Sequence, residues 1–160
     1  MEQGLDIADI TEKLESTTLM VWGGFCNKTL ERIEALPAGS ENLVVKAACT
    51  HILGGFFGSV SIEVEKSFLE RMAKHMLREE EVSIEDMNSV AREFVNVISG
   101  NLKVSLSPEH SILSAPKDFE QVGFGFTLPD SEAIATVVFK SLNGMFVVKL
   151  HQATRPEIGL

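Results

Sequence analysis

Around residues 56–64 apolar and polar residues take turns: Phe56, Val60, Ile62 and Val64 fall on one side of an extended chain, and Ser59, Ser61 and Glu63 on the other. A period of two cannot be laid on one face of a helix, so this stretch has to be a strand, and its apolar side has to be covered by another layer. The run Gly54-Gly55-Phe56-Phe57-Gly58-Ser59 ahead of it resembles a phosphate loop only superficially. It lacks a following lysine and enters a strand rather than a helix, so it reads as a turn at strand entry.

The covering layer is written in helical periods. Leu5, Ile7, Ile10, Leu14 and the Thr18–Val21 group predict a first helix over about residues 6–22, closing near Gly23 and Gly24. Phe68, Leu69, Met72, Met76 and Leu77 recur every three or four residues and predict a second helix with one apolar stripe, stopped by the acidic run Glu79–Glu81. A third helix opens at Ser83. Its hydroxyl can cap the amide three residues on, Asp86 can reach back, and Val82 can staple onto Met87, so the helix should run to about Lys103.

The remaining segments are extended. Leu43, Val45, Ala47 and Cys49 alternate with Val44, Lys46 and Ala48; Val122, Phe124, Phe126 and Leu128 alternate with glycine and threonine after a loop bracketed by Pro108 and Pro116. The segments Ile134–Leu142 and Met145–Leu150 flank Asn143-Gly144, a dipeptide suited to a type I′ hairpin. Helices and strands are segregated rather than strictly alternating. The expected fold is therefore α+β, with helices packed on a largely antiparallel sheet, in a single domain over residues 1–160.

Charge narrows the partners. Fourteen basic and 23 acidic residues give a net charge of −9, and no dense basic cluster offsets it, so nucleic acid is excluded as a partner. The first fifteen residues carry four carboxylates (Glu2, Asp6, Asp9 and Glu12), where a secretory leader would need a basic start and a long apolar run. The apolar stretches are too short for a membrane span, and a cytoplasmic location is expected. Cys26 and Cys49 form no Cys-x-x-Cys pair and read as reduced, buried thiols. His51 should lie on a half-buried strand, with His75, His110 and His151 exposed. Their scatter supports no metal site, and no resident cofactor is expected.

The third helix is where the sequence is informative. At about 100° per residue, Val90, Phe94, Val97 and Ile98 form its apolar side, whereas Ser89, Glu93, Asn96 and Gly100 lie within about 60° of one another on the other side. Spacing alone favours reading them as the solvated face of an amphipathic helix.

The run Ser89-x3-Glu93-x2-Asn96, continuing as "VISGNLK" and followed by Pro116 in "LSAPKDF", resembles the signature of the CheC/CheX chemotaxis phosphatases: Asp or Ser, then Glu, then Asn on one helix, with a downstream proline. The resemblance implies hydrolysis of the aspartyl phosphate of a CheY-like response-regulator receiver domain. Asn96 would orient the attacking water, Glu93 would pair with a receiver lysine, and Ser89 and Gly100 would contact the partner. Any Mg²⁺ would be supplied by the receiver. Two-site members repeat Glu-x-x-Asn on the first helix, but here Thr11-x3-Glu15-x2-Thr18 has threonine in place of the amide, which implies a single-site, CheX-like chain. The resemblance further implies a homodimer, with the terminal hairpin as one candidate edge. The alternative from another class is a non-catalytic module that binds a receiver, or serves an assembly, through the same surface.

Overall fold

The computed structural model describes residues 6–26, 29–40, 43–54, 56, 58–106, 111–113, 116–118, 133–142 and 144–152. In chain order the elements are α1 (Ile7–Phe25), β1 (Glu31–Ile33), β2 (Val44–Gly54), β3 (Gly58–Glu65), α2 (Lys66–Leu77), α3 (Ile84–Leu106), β4 (Ser111–Leu113), β5 (Lys117–Asp118), β6 (Ala133–Ser141) and β7 (Gly144–Gln152). The strands form one sheet in the order β1-β6-β7-β3-β2-β4, with β5 also on β2, and every described pairing is antiparallel. The α+β expectation holds.

All three helices pack on the sheet face that carries Ala48, Ile52, Val60, Ile62, Val137, Phe139, Phe146 and Val148. Phe146 of β7 is the hub. Its ring lies 5.6 Å from Trp22 of α1, 5.8 Å from Phe68 of α2, 5.6 Å from Phe94 of α3 and 5.2 Å from Phe139 of β6. A buried phenylalanine contributes about 1.5–3 kcal/mol over an exposed one, and offset or edge-to-face neighbours add to that. This single contact therefore ties each helix to the sheet.

The helices differ from their sequence-based bounds in ways that packing explains. Helix α1 runs through Gly23 and Gly24 to Phe25, because Phe25 closes on Phe94 at 5.4 Å and draws the last turn onto the core. Helix α2 stops at Leu77 because Arg78 adopts the left-handed conformation, with φ 55°. The acidic run lies beyond that stop. The capping box of α3 forms as expected: Asp86 N donates to Ser83 Oγ at 3.0 Å, and Ser83 N to Asp86 Oδ2 at 2.9 Å. Helix α3 then continues past Lys103 to Leu106.

Four expectations on the sheet are corrected. The alternation along β2 is broken by a register shift between Lys46 and Ala48, so Ala47, Ala48 and Cys49 are all buried. Ser59 and Ser61 are buried and share hydrogen bonds with His51 (2.5 Å) and His151 (3.3 Å), and His151 is itself buried, not exposed. A further strand, β4, lies inside the stretch read as a loop. Finally, the terminal hairpin is interior, paired on both sides, and the outer strands are β1 and β4 with β5.

Strand β2 ends at Gly54 and β3 begins at Gly58, where glycine is required: a Cβ would run into the His151 carbonyl oxygen on β7. At the β6–β7 hairpin Ser141 pairs with Gly144, whose φ of 144° favours glycine. The expected strand Val122–Leu128, Pro108, His110 and Asn143 lie outside the described residues.

Candidate functional site

Helix α3 is a rigid platform. It buries Met87, Val90, Ala91, Phe94, Val95, Ile98, Ser99 and Leu102, and its N-terminus is both capped and flanked by the first-turn carboxylates Glu85 and Asp86, which suit the positive end of the helix. With one side locked on the sheet, the opposite side is fixed in direction to within a side-chain rotamer.

That outward side carries Ser89, Glu93 and Asn96. Ser89 and Glu93 are exposed and Asn96 is half-buried. Among the described residues neither Glu93 nor Asn96 spends its side chain on an internal hydrogen bond or ion pair. Asn101 behaves differently, donating its amide to the Val97 carbonyl at 2.8 Å. Gly100 is half-buried over β4: a Cβ there would meet Leu113 Cδ1 at 3.7 Å, an ordinary contact. The structure therefore brings Ser89, Glu93 and Asn96 together on the open side and seats Gly100 against the sheet edge.

Ser89 is engaged. Its Oγ accepts from Arg92 Nη2 at 2.9 Å, and the same nitrogen forms an ion pair with Glu85 at 2.9 Å. Sequence reasoning passed over Arg92, although the spacing Glu85-x3-Ser89-x2-Arg92 puts the three on one helical row and could have marked the bracket.

The equivalent face of α1 is closed. Thr18 is wholly buried with its hydroxyl on the Leu14 carbonyl at 2.7 Å, and Glu15 pairs with Arg32 of β1 at 2.6 Å. Neither side chain is presented.

Three cavities lined by described residues exclude Glu93 and Asn96. One lies by Trp22, Cys26 and His75, one under α2 and α3 by Phe68 and Phe94, and one by Glu34, Val138 and Lys149. Glu93 and Asn96 thus stand on an outward face apart from these three cavities. Among the described residues no group of three or more His, Cys, Asp or Glu side chains could hold a metal ion, and no described helix is long and apolar enough to cross a membrane.

Comparison with known proteins bears on the family and the fold. The family model "Chemotaxis phosphatase CheX" matches residues 47–140, more than half of the chain and all of α3. The fold is that of a CheX from Desulfovibrio desulfuricans, at 21% identity and a TM-score of 0.63 over 90% of this chain and 99% of the other. It is also that of a Vibrio vulnificus CheX, at 16% identity and 0.65 over 92% and 99%. A third similar structure, the Borrelia burgdorferi CheX–CheY–BeF3–Mg complex, gives 13% identity and 0.62 over 91% and 99%. No curated relative matches the sequence.

Proposed function

We propose, from the premise that the chain belongs to the CheX family, that it is a phosphatase of a CheY-like receiver domain, acting through Asn96 and Glu93 of α3. The observation that carries this reading is the pair itself: an amide and a carboxylate one turn apart, on the outward side of a locked helix, uncommitted to internal bonds among the described residues.

In this reading α3 docks over the receiver's phosphoaspartate. The Asn96 side-chain oxygen accepts a hydrogen bond from a water and its NH2 group donates to its surroundings, holding the water oxygen in line with phosphorus. The water oxygen bonds to phosphorus, the bond to the aspartyl oxygen breaks, and carboxylate and inorganic phosphate leave. Glu93 forms an ion pair with a receiver lysine and fixes the approach. Mg²⁺ and the groups that neutralise the phosphoryl oxygens are the receiver's own. The Borrelia burgdorferi structure of similar fold, a complex with CheY and Mg²⁺, supports a receiver as the partner. Ser89, with Arg92 beside it, borders the docking face.

The protein is placed by this reading in the cytoplasm, where receivers are. A homodimer is part of it too: Val45 of β2 and Ile112 of β4 are exposed near the outer edge of the sheet, and a second copy could pair there. Light scattering returning the monomer mass of 17.5 kDa at working concentrations would remove the dimer.

The experiment is direct. A receiver charged with acetyl phosphate is followed for phosphate loss with and without this protein. Faster loss is expected. Complex formation with unchanged decay would replace the phosphatase by a non-catalytic receiver-binding module.

A further inference from the structure

Glu85, Ser89, Arg92 and Asn96 are spaced by four, three and four residues, which makes them successive members of one row along α3. The row begins among acids. From Glu79 to Leu102 the chain holds six carboxylates and a single cation, Arg92. That cation's side chain is 24% exposed, and Glu85 and Ser89 fix its Nη2 on the outward side, whereas the Glu85 side chain is 73% exposed. Two polar residues thus hold one arginine in a set pose on the same side as the phosphatase pair.

The direction of the side chain matters. Arg92 reaches back toward the helix N-terminus, to Ser89 and Glu85, so its head lies about seven residues before Asn96. At about 1.5 Å per residue that is about 10 Å from the amide. An anion met by Arg92 is therefore not the phosphoryl group at Asn96.

We infer that Arg92 is a specificity-determining residue that takes a surface carboxylate of the receiver about 10 Å from the phosphorylated aspartate, with Ser89 and Glu85 as its positioning residues in the free protein. This rests on the receiver being the partner. Arginine suits the task because its planar fork can pair with a carboxylate in two parallel hydrogen bonds. Glu85 occupies the guanidinium until the partner arrives and competes with the partner's carboxylate for it. Around an otherwise acidic helix end, Arg92 also selects against partners that lack an acidic group at that place.

The test measures receiver binding by titration, with the receiver unphosphorylated and phosphorylated, for the wild type, Arg92→Ala, Arg92→Lys and Glu85→Gln. Arg92→Ala should weaken binding about 3- to 10-fold in both receiver states, with the saturating hydrolysis rate unchanged, and Arg92→Lys should recover part of the loss. Glu85→Gln should tighten binding about 2- to 5-fold, because it removes the competitor. Both shifts should shrink at high salt.

Unchanged binding in Arg92→Ala, or weaker binding in Glu85→Gln, would overturn the inference while leaving the phosphatase intact. A loss confined to the phosphorylated receiver would assign Arg92 to the phosphoryl group instead. A wild type that neither binds nor dephosphorylates a receiver overturns the functional reading, and this inference with it.

Discussion

Phe94, the residue after Glu93 on α3, meets Phe146 of β7 edge to face, with ring centroids 5.6 Å apart and planes at 78°. The outward carboxylate and the inward ring leave adjacent Cα atoms, so the aim of Glu93 is set by the seating of Phe94. Phe94→Ala should cost about 3–5 kcal/mol through lost burial and a cavity, read from urea unfolding at constant m value. Phe94→Leu should cost less, yet still lower phosphatase activity in the fraction that remains folded.

In the proposed mechanism, Asn96→Ala removes a group used only at the reacting centre. The dephosphorylation rate should fall on the order of 10²-fold, with receiver affinity nearly intact. Circular dichroism of the variant must first match the wild type. A folded Asn96→Ala protein with the wild-type rate would end the proposed mechanism.

Glu93→Ala should move the other parameter. Loss of a partly desolvated ion pair should weaken docking by roughly 1–3 kcal/mol and raise KM, with a smaller change in the saturating rate. The size of the effect at low and high salt reports how close the contact lies to the rim.

Restoring the amide on α1 should not create a second site. Thr18 is wholly buried, so Thr18→Asn puts a larger polar group into packed space and should destabilise the fold by about 1–3 kcal/mol without raising activity. Glu15→Gln breaks a partly exposed pair with Arg32, and should cost at most about 1 kcal/mol and leave the rate unchanged. A gain of activity in Thr18→Asn, followed with the same charged receiver, would contradict this.

Ser83→Ala should cost about 1 kcal/mol in thermal or urea unfolding, since it deletes one half of a reciprocal cap. Asp86→Ala should cost about as much, and the double variant less than the sum, because the two bonds support one helix end.

Features settled by neighbours in the chain were legible in the sequence. The Ser83–Asp86 cap, the stripe of α2 and the alternation of β3 depend on residues within one or two turns of each other. The outward set Ser89, Glu93 and Asn96 followed from the same local geometry. Features settled by neighbours in space were not. His151 reads as an exposed polar residue near the chain's end, and only the pairing of β7 with β3 brings it to Ser61 and buries it. The extra residue in β2 depends on how β3 lies against it. Phe25 overrides two glycines because Phe94 is there to receive it. Arg92 was missed for a different reason: its row was visible, but a single arginine among carboxylates looks like ordinary surface charge.

The order of strands has a consequence for how the chain is made. Strand β1 pairs with β6, about 100 residues later, and α1 rests on Phe146 beyond that. At a synthesis rate of about 5–20 residues per second, the first helix and strand wait about 5–20 s for their partners. During that interval Trp22, Leu14 and Ile10 have no sheet to cover them. A nascent chain stalled before Ala133 should accordingly remain open to protease and to chaperones, and close only once the final hairpin has emerged.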